Sequence, residues 1–237
     1  MKTVKLFCIP YAGGLASAYY KWNNLLNDNI ILYPIELSGH GRRISNPLYN
    51  CLDDAVEDIT KFIVTHLSDG DYYMIFGHSM GSILTFEVIH KLIKQNKDGG
   101  LIHAFFSGRK PPQISGGKKI HHVDKETFIK EVLLLGGTPE EVFRDQVLCD
   151  LVMPILRADF KMLENYEYKE HEKRLFINSS ILYGNNDINT PKVDMQAWSC
   201  QFSKDCDFYE FQGGHFFINE SQSDIISLIN TIVLKYI

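Results

Sequence analysis

The sequence lacks the features that mark several large classes of protein. No apolar run approaches the roughly 20 residues that a helix needs to cross a bilayer. The five cysteines are odd in number and show no C-x-x-C spacing, which argues against a disulfide framework or a cysteine zinc site. Basic residues are not in excess, since the net charge is −5, so general nucleic-acid binding is not expected. Unpaired thiols indicate a reducing compartment, and we expect a cytoplasmic protein.

What the sequence does contain is enough apolar material for one domain of ordinary size. Hydrophobic residues make up 45% of the 237 positions, so a full core can form without disulfides or metals. This length suits a single α/β domain that carries an inserted subdomain. We therefore expect one domain over residues 1–237.

Short apolar runs with strand character alternate with helical patterns along the first part of the chain. The strand patterns lie at residues 3–9, 30–35, 72–76 and 101–106. The helical patterns lie at residues 17–27, 52–67 and 82–93. Such alternation is typical of a mainly parallel sheet flanked by helices, so an α/β fold is predicted.

A long helical tract interrupts this alternation between Lys125 and about Tyr168. Breaks in it are expected at residues 136–139 and near Pro154. Strand patterns return at residues 179–184 and 208–211, followed by a helical pattern at residues 223–236. Helical insertions in such sheets commonly lie over the carboxyl ends of the strands, where these folds bind ligands.

The motif G-x-S-x-G at residues 77–81 stands between a strand pattern and a helical pattern. This order predicts a nucleophile elbow, a strained turn that projects the hydroxyl of Ser79 into a cleft. A Cβ at Gly77 or Gly81 is expected to collide with the helix or the neighbouring strand as the chain reverses. A bare match to the motif is more often an ordinary turn, but the flanking strand and helix favour a catalytic serine.

A serine hydroxyl needs a neighbouring base, and the base needs a carboxylate that orients it. In elbow hydrolases the chain order is serine, then acid, then histidine. Of the nine histidines, only His215 follows the last strand pattern on a loop that two glycines make mobile enough to turn the imidazole inward. His215 is therefore the predicted base.

Asp187 is the predicted acid because it directly follows the strand pattern at residues 179–184. An Asx turn at the end of that strand is the alternative explanation for this aspartate. Asp194 and Asp207 are weaker candidates, since the first lies in helical sequence and the second lies at the start of a strand.

An oxyanion hole needs two backbone N–H groups aimed at the substrate oxygen that becomes negative. The residue after the nucleophile, Met80, supplies one in elbow hydrolases, and the loop after the first strand supplies the other. Ala12 is predicted there, because Gly13 and Gly14 allow the backbone to approach a substrate closely. A plain Gly-Gly turn is the alternative.

Seven short motifs occur in order along the chain and together carry a family resemblance. They lie at residues 10–14, 39–42, 77–81, 107–109, 135–139, 154–159 and 213–216. On these motifs the whole chain resembles the type II thioesterases of nonribosomal peptide and polyketide synthetases. One departure is Ser38, where many members carry proline before the turn at Gly39.

The resemblance implies an α/β-hydrolase fold with a helical lid at about residues 121–168. It implies hydrolysis of stalled or aberrant acyl groups from the phosphopantetheine arm of carrier proteins, with no cofactor or metal and with neither nucleic acid nor membrane as partner. By position, Ser79, Asp187 and His215 match the family's triad, and Ala12 and Met80 match its oxyanion donors.

Two other functions remain open at the level of sequence. Fold alone does not decide the substrate, so a carboxylesterase or lipase acting on free small esters is one alternative. A catalytically idle binding protein is the other, although such a protein needs no serine at the elbow. The basic cluster Arg109, Lys110, Lys118 and Lys119 is expected near the site, either meeting an anionic arm or carrier or forming a solvated loop.

Overall fold

The computed structural model describes residues 3–114 and 117–237. Its centre is a six-stranded sheet in the order β2-β1-β3-β4-β5-β6, in which every neighbouring pair is parallel. The strands are β1 (Val4–Ile9), β2 (Ile30–Pro34), β3 (Tyr72–His78), β4 (Leu101–Ser107), β5 (Ser179–Gly184) and β6 (Asp207–Phe211). The predicted α/β class with a parallel sheet is confirmed.

Eight α-helices are described. They are α1 (Leu52–Thr65), α2 (Met80–Lys94), α3 (Lys125–Leu135), α4 (Glu140–Arg144), α5 (Gln146–Glu164), α6 (Lys192–Gln196), α7 (Phe217–Glu220) and α8 (Gln222–Val233). Short 3₁₀ helices lie at Ala16–Asn24, Gly41–Arg43 and Ala197–Gln201. None of the helices in the described part of the chain is long and apolar enough to cross a membrane.

The sheet is covered on both faces because its central strands carry buried apolar side chains on each face. Side chains alternate across a strand, so Phe7 and Ile9 of β1 enter the core on one face. Leu6 and Cys8 enter the core on the other face. Helices α1 and α2 pack on the first face, whereas α8 and the 3₁₀ helix Ala16–Asn24 pack on the second. Burial on both faces is the usual condition for an all-parallel sheet.

The helix expected at residues 17–27 differs in kind from the prediction. It is a 3₁₀ helix that spans Ala16–Asn24. Its buried residues are Ala16, Tyr19 and Trp22, three residues apart. Since residues i and i+3 eclipse in a 3₁₀ helix, this winding puts all three side chains on one face of the helix, and Tyr19 and Trp22 pack against Phe76 of β3.

The expected break at Pro154 is wrong, because α5 continues through that residue. Proline removes one N–H and so leaves the carbonyl of Asp150 without its helical partner. Both residues are exposed, so solvent can satisfy that carbonyl. The apolar face of α5 stays buried, which holds the helix together across the proline. The break expected at residues 136–139 is present between α3 and α4.

Candidate active site

Ser79 occupies a strained turn between β3 and α2. Its φ of 53° and ψ of −114° lie in a region that non-glycine residues seldom adopt. A Cβ on Gly77 would lie 2.1 Å from the carbonyl oxygen of Gly81, and a Cβ on Gly81 would lie 2.3 Å from that of Ile9. These are the collisions with helix and neighbouring strand that the sequence predicts, and they explain why glycine flanks the serine.

Ser79, His215 and Asp187 form one chain of hydrogen bonds, although up to 136 residues separate them. The hydroxyl of Ser79 donates to Nε2 of His215 at 3.0 Å. Nδ1–H of His215 donates to Oδ2 of Asp187 at 2.7 Å. Asp187 follows β5 and His215 follows β6, so the carboxyl end of the parallel sheet brings both loops to the elbow. This arrangement can pass a proton from serine to imidazole while the carboxylate stabilises the charged ring.

Asp187 is held in place by its own loop as well as by His215. Thr190 Oγ1–H donates to Asp187 Oδ2 at 2.7 Å, and the N–H of Asn189 donates to Oδ1 at 2.9 Å. The second contact is the one that forms an Asx turn. Asp187 therefore makes the Asx turn named above as the alternative, and it also bonds to His215. Burial acts to raise the pKa of Asp187, but the bonds from His215, Thr190 and Asn189 outweigh it and lower that pKa. The carboxylate form is therefore favoured.

The competing aspartates lie elsewhere. Asp194 forms an ion pair with Lys110 at 2.6 Å. Asp207 is an exposed residue at the start of β6. Within the described residues, neither is hydrogen-bonded to His215.

His78, next to the nucleophile, is fully buried behind the elbow and shares a hydrogen bond with Ser107 Oγ at 2.9 Å. Burial holds its pKa well below the ordinary value, so the ring is neutral. Its ring centroid lies 5.5 Å from that of His215 and 5.9 Å from that of Tyr11. His78 therefore packs between the histidine loop and the loop after β1.

The two predicted oxyanion donors belong to the loop after β1 and to the first turn of α2. Residues 11–14 form a tight turn in which Gly14 N–H donates to the carbonyl of Tyr11 at 2.8 Å, and Gly13 has a φ of 71°. Because the peptide is trans, the N–H of Ala12 points opposite to that carbonyl, away from the inside of the turn. Met80 is the first residue of α2, where backbone N–H groups have no partner within the helix.

A pocket of about 930 Å³ opens at this point, and Ser79, Ala12 and His215 line it. Helices α3 and α5 supply an apolar wall, made of Val132, Leu135, Leu156, Phe160 and Leu163. The pocket can hold an apolar chain beside the serine.

All four residues of the basic cluster line the same pocket, but they differ in their partners. Lys110 pairs with Asp194 at 2.6 Å, and Lys118 pairs with Glu131 at 2.5 Å. Within the described part of the chain, Arg109 and Lys119 form no ion pair. Of the four cluster residues, Arg109 and Lys119 are therefore the two that no ion pair neutralises in the described residues.

Sequence reasoning missed a second buried polar network. Oδ2 of Asp159, on α5, accepts the N–H of Gly13 at 2.8 Å and lies 2.9 Å from Nε2 of His40. Nδ1 of His40 lies 3.0 Å from the carbonyl oxygen of Ser38. His40 is completely buried and Asp159 is 2% exposed. Two features of the sequence could have indicated this network. Asp159 is a carboxylate on the apolar face of a helical pattern, and His40 lies between two glycines of a turn.

Comparison with known proteins gives a consistent result. The family described as "Thioesterase domain" matches residues 4–233. The gramicidin S biosynthesis protein GrsT of Aneurinibacillus migulanus is 35% identical over 228 residues, which cover 95% of this chain and 87% of GrsT. ClbQ from the colibactin NRPS/PKS pathway has a TM-score of 0.91 at 32% identity, covering 99% of this chain and 98% of ClbQ. BorB, a type II thioesterase from the borrelidin biosynthetic cluster, has a TM-score of 0.87 at 26% identity, covering 97% and 92%.

Proposed function

Because the chain belongs to the thioesterase domain family, we propose that it removes aberrant or stalled acyl groups from carrier proteins of nonribosomal peptide or polyketide synthetases. The resemblance to type II thioesterases that the motifs predict is confirmed by the family match and by the type II thioesterase BorB. The protein is a serine hydrolase that acts on thioesters. The carrier-bound arm as substrate, and the roles of individual residues, are the proposed part.

In the proposed reaction, Ser79 is the nucleophile, His215 the base and Asp187 the acid. Nε2 of His215 takes the proton of Ser79 as the hydroxyl oxygen attacks the thioester carbonyl. The N–H groups of Ala12 and Met80 stabilise the oxygen that becomes negative. The C–S bond then breaks, the imidazolium protonates the leaving thiolate, and the acyl group stays on Ser79 as an ester.

A water molecule completes the cycle. It loses a proton to His215 Nε2 as it attacks the acyl ester, and Ser79 recovers that proton when the carboxylic acid leaves. Asp187 stabilises the imidazolium in both halves of the reaction through the 2.7 Å bond to Nδ1. A thioester suits this machinery because thiolate is a better leaving group than alkoxide.

The observation that carries the proposal is the continuous bond path from Ser79 through His215 to Asp187 at the edge of an apolar pocket. The apolar pocket beside Ser79 would hold the acyl chain of the substrate. We propose that the lid comprises about residues 121–168, since α3 and α5 form the apolar wall over Ser79. Phe128 of α3 is completely buried and its ring lies 5.6 Å from that of Phe160, so it supports the wall from behind.

The proposed partner is an acyl- or peptidyl-carrier protein, and the proposed compartment is the cytoplasm. Arg109 and Lys119 line the pocket, and we propose that they meet the phosphate of the arm or an acidic carrier. A reducing compartment agrees with the five cysteines, each of which is a free thiol.

The test compares three substrates that share one acyl group: an acyl-carrier thioester, a small soluble thioester and an ethyl ester. The proposal predicts the highest kcat/KM on the acyl-carrier thioester. Equal or higher kcat/KM on the ethyl ester would favour a carboxylesterase. Absence of turnover on all three, with binding of the acyl-carrier retained, would favour an idle binding protein.

A further inference from the structure

We propose that the buried pair Asp159 and His40 positions the oxyanion loop, and so makes catalysis depend on the seating of lid helix α5. This inference rests on the proposed function, because it assigns Ala12 to the oxyanion hole. Neither residue of the pair lines the substrate pocket, so both are positioning residues and not catalytic ones.

The turn at residues 11–14 has the geometry of a type II turn. A positive φ at Gly13, the third residue, is the feature of a type II turn. Types I and II differ by a flip of the central peptide, whose N–H belongs to Gly13. In this structure that N–H donates to Asp159 Oδ2 at 2.8 Å. In the flipped turn the carbonyl of Ala12 would face the carboxylate instead, and the two oxygens would repel.

The turn also packs directly against α5. A Cβ on Gly13 would lie 2.4 Å from Cδ2 of Leu156, so the loop is packed directly on that side chain. Leu156 and Asp159 are three residues apart and therefore lie on the same face of the helix. The same face of α5 thus holds the turn by one apolar contact and one charged hydrogen bond.

The two hydrogen-bond partners of His40 indicate its charge state. Both of its ring nitrogens face atoms that can only accept, namely the carboxylate of Asp159 and the carbonyl of Ser38. A neutral imidazole has one donor nitrogen, so its other nitrogen would face an acceptor without a hydrogen between them. An imidazolium donates to both acceptors. Ser38 is itself fixed, because its Oγ donates to the carbonyl of Pro47 at 2.7 Å. A positive His40 therefore holds the carboxylate of Asp159 in the orientation that Gly13 requires.

These contacts join three separate segments of the chain. They are the oxyanion loop after β1, the turn after β2 that carries His40, and α5. Withdrawal of α5 from the sheet would remove both the acceptor of the Gly13 N–H and the Leu156 contact. The loop that carries the Ala12 N–H would then no longer be held in place. The oxyanion hole is then fully formed only when the lid helix is seated.

The experiment uses Asp159→Asn, with Asp150→Asn as the matched control on the exposed side of the same helix. Three quantities are measured for each protein: kcat and KM on a small acyl thioester, Ki of the corresponding trifluoromethyl ketone, and Kd of the non-hydrolysable thioether. The ketone forms a tetrahedral oxyanion on serine, whereas the thioether measures ground-state binding alone.

For Asp159→Asn we expect kcat to fall by about 10–100-fold, less than the ~10²–10³-fold cost of deleting an oxyanion donor outright. The Ki of the ketone should rise in parallel, and the Kd of the thioether should stay within about twofold of wild type. Asp150→Asn should match wild type in all three. An unchanged kcat and Ki in Asp159→Asn, or equal losses in ketone and thioether binding, would overturn the inference.

If Asp159→Asn does not fold, His40→Gln takes its place, since it removes the positive charge and keeps an amide donor for Asp159. It should show the same selective loss of ketone binding, and a uniform loss or none would overturn the inference. A wild-type protein that hydrolysed no thioester would overturn the proposed function, and the inference with it. That result is distinct from an active wild type with a silent Asp159→Asn.

Discussion

At the scale of single residues, the role of Asp187 is the part of the proposed mechanism that a single substitution tests most simply. Asp187→Asn keeps the shape of the side chain but removes the charge that holds the tautomer of His215. We expect kcat on an acyl thioester to fall by ~10⁴-fold with folding retained, by analogy with the same change in serine proteases. Steady-state kinetics and circular dichroism measure both. Asp194→Asn is the matched control, and a large loss there with near-normal rates in Asp187→Asn would reject the assignment.

The pair of His40 and Asp159 predicts a pH dependence of stability. Burial acts to lower the pKa of His40, but the bond to Asp159, its charge, the bond to Ser38 and the charge of Glu36 together raise it. A raised folded-state pKa means that the stabilisation is complete below the ordinary value of about 6.5 and is lost as pH rises through the folded-state value.

We therefore expect His40→Gln to lower the free energy of unfolding more at about pH 5.5 than at about pH 9. Urea denaturation of wild type and variant at the two pH values measures the difference. His122→Gln, at an exposed histidine, is the control and should show little change at either pH. A cost of His40→Gln that grew with pH would show that the buried ring is neutral in the folded protein.

Sequence predicts those site residues that a local pattern marks, and it does not predict those that only the tertiary fold brings together. Ser79, Asp187 and His215 each follow a strand pattern in a fixed chain order, so local patterns were enough to propose them. Asp159 and His40 are 119 residues apart, and only the tertiary fold brings them within hydrogen-bonding distance. Thr190 likewise supports Asp187 through a turn whose shape no local pattern specifies. Such contacts become visible only when the fold places them together.

At the scale of elements, the helical tract α3–α5 is proposed to choose the acyl chain. Phe160 lines the pocket and packs on Phe128, so Phe160→Ala removes part of the wall. Each buried CH₂ of a chain is worth about 0.8 kcal/mol. We expect kcat/KM on a long acyl thioester to fall by about 10-fold relative to a two-carbon one. Leu134→Ala, on the exposed side of α3, is the control. Equal effects on both chain lengths would show that this wall does not contact the acyl chain.

The elements that sequence predicts least well are those whose form depends on the neighbouring surface. Residues 16–24 have an ordinary helical pattern, but the three-residue spacing of Tyr19 and Trp22 favours a 3₁₀ helix against the sheet. Pro154 was expected to end a helix, but it lies on the exposed side of α5, where the lost hydrogen bond costs least. In both cases tertiary packing outweighs the local rule.

At the scale of the whole molecule, charge around the pocket is expected to guide the carrier. Neutralising Arg109 to Gln and reversing Lys119 to Glu should raise KM for an acyl-carrier thioester severalfold and leave a small neutral thioester nearly unchanged. The effect should weaken with added salt, because screening acts over ~8–10 Å. Kinetics at low and high salt measure it.

The control for this charge experiment is the double change Lys21→Glu and Lys97→Glu, at two exposed lysines outside the pocket. It alters the net charge by a similar amount at another place. An equal rise of KM in the control would mean that overall charge alone steers the carrier. No rise in either would leave Arg109 and Lys119 without a role in binding.

The central claim is that Ser79 takes the acyl group from a carrier-bound thioester. Intact-protein mass spectrometry tests it most directly, in a rapid-quench reaction of the enzyme with an acyl-carrier thioester. The account predicts a transient mass increase equal to one acyl group, located on Ser79 by peptide mapping and absent in Ser79→Ala. Hydrolysis of the carrier thioester at an undiminished rate by Ser79→Ala, or an acyl group mapped to another residue, would contradict it.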